Sequence, residues 1–110
     1  SWEDGGEQTY PVRDGRPESM VICAAVRPQG KPGDTDYIPA KGRRDGATLR
    51  EQFARARAVG PRFAMVVSWN EWTTGEQPSI EVSKDLEPSL TLGDRYLKLL
   101  KEEIRRFKTE

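Results

Sequence analysis

Residues 63–72 read Phe-Ala-Met-Val-Val-Ser-Trp-Asn-Glu-Trp, and this stretch constrains the fold more than any other. Five apolar residues run without a polar break and then meet an aromatic and polar cluster. An unbroken apolar run of this length predicts a strand buried on both faces, as in a parallel sheet covered by helices. In α/β sheets and barrels the carboxyl edge of the strands is where ligands bind. Ser68, Trp69, Asn70, Glu71 and Trp72 are expected at that edge.

Residues 19–26 (Ser-Met-Val-Ile-Cys-Ala-Ala-Val) form a second buried-strand candidate, ended by the Pro- and Gly-rich residues 27–34. Cys23 lies inside this run and reads as a small buried hydrophobe. Asp34, Asp36 and Tyr37 follow in the loop, where a carboxylate pair two apart reads as a solvated turn. Thr48-Leu49-Arg50-Glu51 has the pattern of a capping box, with the Thr hydroxyl and the Glu carboxylate each taking a free backbone N–H. Leu49, Phe53 and Ala56 keep helical spacing behind it, and Gly60-Pro61 supplies the stop. Arg55 and Arg57 are expected on the wet face. Strand, loop, capped helix, turn and strand make a βαβ unit, with a right-handed crossover and parallel strands expected.

Residues 1–17 are rich in Gly, Asp, Glu and Pro, show no period, and read as loop. Their large aromatics, Trp2 and Tyr10, would cover the open end of a core or serve as a substrate platform. Residues 73–91 are long, polar and aperiodic, as binding loops are. Residues 92–107 carry the strongest helical period. Leu92, Tyr96, Leu97, Leu100, Ile104 and Phe107 make an apolar stripe, and Lys98, Glu102 and Arg106 a charged one. Glu102 and Arg106 have the four-residue spacing of an ion pair, and Arg105, Arg106 and Lys108 complement the helix dipole.

Composition removes several function classes. The 18 basic and 18 acidic residues cancel, which argues against nucleic acid as the main partner. The absence of histidine rules out Ser-His-Asp triads, Cys-His pairs and His-ligated zinc within these 110 residues. The lone Cys23 excludes an intrachain disulfide and leaves the compartment open. No apolar stretch reaches the ~18 residues of a membrane span. The acidic residues have no fixed metal-ligand spacing, and no cofactor is expected. By length the chain is one α/β segment, residues 1–110. Two strands cannot close a (β/α)₈ barrel of roughly 250 residues, and so few strands bury little surface, so the segment is expected to be the C-terminal part of a larger protein.

The cluster at 68–72 has its own chemistry. One carboxylate between two indoles, beside a carboxamide, is poorly explained by core packing and suits a sugar-binding or glycosidic site. Glycosidic hydrolysis needs two carboxyl groups, one to protonate the leaving oxygen and one to attack or to activate water. Glu71 is the acid/base candidate, since desolvation beside indole rings raises a carboxyl pKa. Trp69 and Trp72 offer flat faces for a pyranose ring, and Asn70 a donor for a hydroxyl. The partner carboxylate is Glu76, Glu81 or Glu87, or lies upstream. The competing reading pairs Glu71 with an arginine such as Arg62 and uses both indoles as a plug.

Ser68-Trp69-Asn70-Glu71-Trp72, then Glu87-Pro88-Ser89, Gly93 and Tyr96, resemble the C-terminal part of the family 99-like glycoside hydrolases and related glycan-processing proteins. The likeness spans about residues 19–107 and is specific in the Trp-Asn-Glu-Trp and Glu-Pro segments. It implies the last quarter of a (β/α)₈ barrel, an active-site carboxylate at Glu71, a loop carboxylate at Glu87, a carbohydrate substrate and the upstream part of the same barrel as partner. The family's second catalytic Glu, three residues after the first, is Thr74 here, with Glu76 two further on. A noncatalytic carbohydrate-binding barrel fragment is therefore one alternative to a hydrolase, and a small α/β interaction module is another.

Overall fold

The computed structural model describes residues 8–26, 28–69, 86 and 93–109. Their element order is β1 (Val12–Arg13), β2 (Arg16–Pro17), β3 (Ser19–Ile22), α1 (Ala47–Val59), β4 (Phe63–Val66) and α2 (Arg95–Thr109). Strands β3 and β4 pair in parallel, Ser19 opposite Phe63 through Ile22 opposite Val66, with α1 as the crossover between them. This is a small α/β fold with a βαβ unit at its centre.

The expected loop at 1–17 contains a hairpin. Strands β1 and β2 pair antiparallel about Asp14 and Gly15, whose φ values are 52° and 75°. Two consecutive positive φ angles suit the right-handed twist of a tight hairpin, and Asp-Gly is a sequence that adopts them at low cost. The second strand candidate is shorter than 19–26. The ladder ends at Ile22, and residues 23–26 stay buried but bend away. The segment after it folds back on itself through two antiparallel bridges, Val26 to Lys41 and Gln29 to Ile38. At its tip the Asp34 carboxylate accepts from the Lys31 N–H at 2.9 Å, as a solvated turn would.

Helix α1 starts differently from the capping-box expectation. Arg44–Gly46 make one 3-10 turn, and Gly46, at φ 91°, is the N-cap with no side-chain cap bond. The Thr48 hydroxyl donates to the Gly42 carbonyl, and Glu51 turns outward to Arg44 and Lys41. Two nearby cations hold that carboxylate more strongly than one backbone N–H would. The helix ends on Gly60, at φ 72°, whose N–H donates to the Ala56 carbonyl at 2.8 Å. Left-handed φ at both ends requires glycine or a strained substitute.

The core forms on one face of the β3–β4 pair. Met20, Ile22 and Ala24 pack with Leu49, Phe53 and Ala56 of α1 and with Leu86 and Tyr96, and Ala64 and Val66 of β4 lie against this cluster. The expectation of a strand covered on both sides fails at β4. Phe63 is 60% exposed and Met65 54%, because side chains alternate along a strand and the cluster lies on one face only.

Helix α2 packs with Tyr96, Leu99, Leu100 and Phe107 toward the core. Ile104, expected in the apolar stripe, is among the exposed large hydrophobics, and Glu103 is only 1% exposed. Glu103 accepts from Arg57 at 3.1 Å and Arg106 at 3.2 Å. Arg57 is therefore an inter-helix clasp rather than a solvated side chain. Arg55 likewise leaves the solvent face and donates through Nε and Nη2 to the Gln8 carbonyl at 3.3 and 3.0 Å. Glu102 pairs with Arg105, not with the expected Arg106, which Glu103 holds.

Two stability predictions follow from these contacts. A Cβ on Gly46 would lie 2.8 Å from Leu99 Cδ2 and 2.9 Å from Arg50 Nη1, while one on Gly60 would meet nothing within 4 Å. Gly60→Ala is expected to cost about 1 kcal/mol from its backbone alone, and Gly46→Ala about 2 kcal/mol because Leu99 must also move; urea unfolding should rank them in that order. Arg57→Ala strips the buried Glu103 of one partner and should cost about 3 kcal/mol, whereas replacing both, Arg57→Leu with Glu103→Leu, should stay within about 1 kcal/mol of the parent.

Candidate functional site

The parallel register aligns the carboxyl ends of β3 and β4. The Val67 N–H donates to the Ile22 carbonyl at 3.0 Å and carries the ladder one residue beyond β4. Ser68 then takes φ 78°. A left-handed non-glycine residue costs of order 1–3 kcal/mol, and such residues concentrate at ligand sites. Its turn leads into Trp69, which is 46% exposed. An indole left this open just past a strand end is exposed to solvent. Trp69 is thus positioned at the expected edge. Asn70, Glu71, Trp72, Glu76 and Glu87 lie outside the described residues, as do Trp2, Thr74 and Glu81. Tyr10 is exposed rather than covering a core.

Near the start of α1, Arg43 is 2% exposed with its guanidinium 4.5 Å from the centroid of the Tyr96 ring. Stacking over an aromatic face offsets part of the cost of removing a guanidinium from water. The contact ties the loop entering α1 to the first turn of α2. Sequence reasoning did not single out Arg43, which sits in a run of polar residues without a period.

A second feature was also missed. An open cleft of about 620 Å³ lies between one side of α1 and the folded-back segment after β3. Thr48, Glu51, Gln52 and Arg55 form its polar wall, and Val26, Ile38, Pro39 and Ala40 its apolar wall. The helix residues recur at intervals of three and four, so they share a face. Two glutamines line the cleft and reach the backbone of β3. Gln8 Nε2 donates to the Val21 carbonyl at 2.7 Å, and Gln52 Oε1 accepts from the Cys23 N–H at 2.7 Å. The carbonyls of Glu18 and Ile22 point to β4, so the backbone groups of Val21 and Cys23 face the opposite edge. The two side-chain amides occupy the positions where a neighbouring strand would bond. A hydrophobicity pattern contains no signal for this, because glutamine at these positions reads as ordinary surface.

The fold is that of a small α/β protein with a parallel strand pair, and Trp69 is exposed just past the end of β4. No known protein family, curated protein or solved structure matches the chain. Among the described residues no group of three or more Cys, Asp or Glu is arranged to hold a metal ion, and no helix is long and apolar enough to cross a membrane.

The cleft's ion pairs give a pH prediction. The hydrogen bond from Arg44, with smaller help from Lys41, holds the Glu51 carboxyl below its ordinary range. A depressed folded-state pKa adds stability above the unfolded value, about 4.3, and loses it as pH falls through the folded value. Glu51→Gln should therefore flatten the acid side of the stability profile below about pH 4.3 and leave its neutral part nearly flat, as read by thermal melts across pH.

Proposed function

We propose that the carboxyl edge of β4 is a carbohydrate site of a glycoside hydrolase acting on a polysaccharide or oligosaccharide. The observation that carries this reading is Trp69, half exposed beyond the strand end after the left-handed turn at Ser68. An open indole presents a flat apolar face to the C–H side of a pyranose, and its N–H remains available to a hydroxyl. In this reading Glu71 is the general acid/base, Asn70 donates to a sugar hydroxyl, Trp72 is the second platform, and Glu76 or Glu87 holds substrate or supplies the second carboxylate. The proposed architecture is the last quarter of a (β/α)₈ barrel. The parallel β3–β4 pair and its crossover helix support it, and in the closed barrel a preceding strand would replace the Gln8 and Gln52 amides at the other edge of β3. The exposed Phe63 and Met65 agree with it, because side chains on that face would fill the barrel interior.

A second reading has its own support. Thr74 stands where the family it resembles has its second Glu, so the same edge would bind glycan without cleaving it.

The two separate in one set of measurements. In a protein carrying the rest of the proposed barrel, Glu71→Gln should abolish glycan hydrolysis and leave the melting temperature nearly unchanged. Trp69→Ala should weaken oligosaccharide affinity about tenfold, the scale of one lost aromatic contact. Sugar-induced change in tryptophan fluorescence without turnover would select the noncatalytic reading. No fluorescence response and no turnover would overturn both and leave a small interaction module.

A further inference from the structure

The tripeptide Arg-Asp-Gly occurs twice in the chain, at residues 13–15 and 44–46, in two different surroundings. Both aspartates are left-handed, Asp14 at φ 52° and Asp45 at φ 54°, and Gly15 and Gly46 also have positive φ. The first copy is the tip of the β1–β2 hairpin, and both Asp14 and Gly15 are exposed. Among the described residues the Asp14 carboxylate makes no hydrogen bond or ion pair, and the Gly15 N–H reaches no acceptor. A Cβ at Gly15 would meet nothing within 4 Å. The hairpin has two residue pairs, Val12 with Pro17 and Arg13 with Arg16, so opening it costs little. The second copy is held from several directions. Gly46 is buried, and its N–H donates to the Arg43 carbonyl at 3.1 Å. The Asp45 carboxylate pairs with Arg95, and the Asp45 carbonyl accepts from Arg50 Nη1 and Nη2, each at 3.4 Å. A Cβ at Gly46 would lie 2.8 Å from Leu99 Cδ2.

We propose that Asp14-Gly15 is a self-modification site, where aspartate converts to isoaspartate through a cyclic imide, while the fold protects the matching Asp45-Gly46. In the first step the Gly15 nitrogen attacks Cγ of the protonated Asp14 carboxyl. A C–N bond forms, and the amide hydrogen and the carboxyl OH leave together as water. Glycine permits this approach because no side chain stands beside its nitrogen. Water then returns to the imide. Opening on the Cγ side restores aspartate. Opening on the main-chain side breaks the bond from the Asp14 carbonyl carbon to the Gly15 nitrogen and routes the backbone through Cβ and Cγ. The former main-chain carbonyl becomes the free carboxylate. Nothing is oxidised or reduced, and water is the one co-reactant. Ring closure requires the Asp14 carbonyl to swing out of its left-handed turn, which the hairpin tip allows. At Asp45 the same swing would break the Arg50 and Arg95 contacts and the Gly46 hydrogen bond. The product lengthens the tip by one backbone methylene and exposes a carboxylate on the main-chain side. The partner that fits it is a carboxyl methyltransferase that reads isoaspartate. The site uses no residue of the Trp69 edge and stands apart from the carbohydrate reading.

The test is a timed incubation of the folded chain in mildly acidic buffer below its melting midpoint, beside a second sample held unfolded in urea. Peptide mapping with fragmentation that separates isoaspartate from aspartate reads each site, and methyl transfer by an isoaspartyl carboxyl methyltransferase reads the exposed product. A third Asp-Gly, at residues 4–5, lies outside the described residues and is followed on its own peptide. In the folded chain conversion should run about tenfold faster at Asp14 than at Asp45, because the Gly46 hydrogen bond and the Arg95 pair both add to the barrier at Asp45. In urea the two copies should convert at similar rates, which assigns the difference to the fold. Equal rates in the folded chain, faster conversion at Asp45, or no conversion at Asp14 overturns the proposal. A rate difference that persists unchanged in urea overturns it too, since the fold would then play no part.

Discussion

Burial of Met20 and Ile22 under Leu49, Phe53 and Ala56 is the contact on which the other features depend. Two parallel strands cannot be joined by a tight turn, so their partner must cross over and return. The crossover is stable only if it packs on the sheet it spans. In this chain α1 does so with three apolar side chains on successive turns. Parallel pairing aligns the carboxyl ends of the strands, and that places Trp69 and the segment leaving β3 on one edge. Loss of the α1 contact would remove the reason for the strands to align.

The polar contacts divide between holding helices and holding backbone. Glu103 is buried between Arg57 and Arg106 and joins α1 to α2. A buried ion pair is weak as a source of net stability, because desolvation offsets most of its Coulomb attraction. It does favour one rotation of α2, since turning the helix would carry Glu103 away from Arg57. Gly46 supports the same placement by leaving room for Leu99 where a Cβ would collide.

The βαβ order, the parallel pairing, the Gly60 stop and the identity of the core helices were legible in the sequence, because each follows from apolar periodicity or a local backbone rule. The details that failed depend on tertiary competition. Glu51 was read as a capping residue, but Arg44 and Lys41 compete for it. The α2 stripe was read as including Ile104, but the clasp turns Glu103 inward and leaves Ile104 exposed. The run at 63–67 was read as covered twice, because an apolar sequence reports what a strand can bury and not how many layers surround it. The Asp14-Gly15 hairpin had an adequate local signal that was masked by the polar composition around it. For the candidate site, the position of Trp69 just past the end of β4 was legible, while the glutamine contacts of the second cleft depend on distant residues meeting in space.

The pinning of β3 by two amides has a chemical consequence over time. Glutamine side chains slowly hydrolyse to glutamate, and the two positions would tolerate that change unequally. At Gln52 the new carboxylate still offers an oxygen to the Cys23 N–H. At Gln8 the lost nitrogen was the donor, so an anion would face the Val21 carbonyl and repel it. Ageing of the chain would therefore break the Gln8 side-chain bond to the strand while Arg55 still held the Gln8 carbonyl, and the first sign of wear would be a Val21 carbonyl without its amide donor.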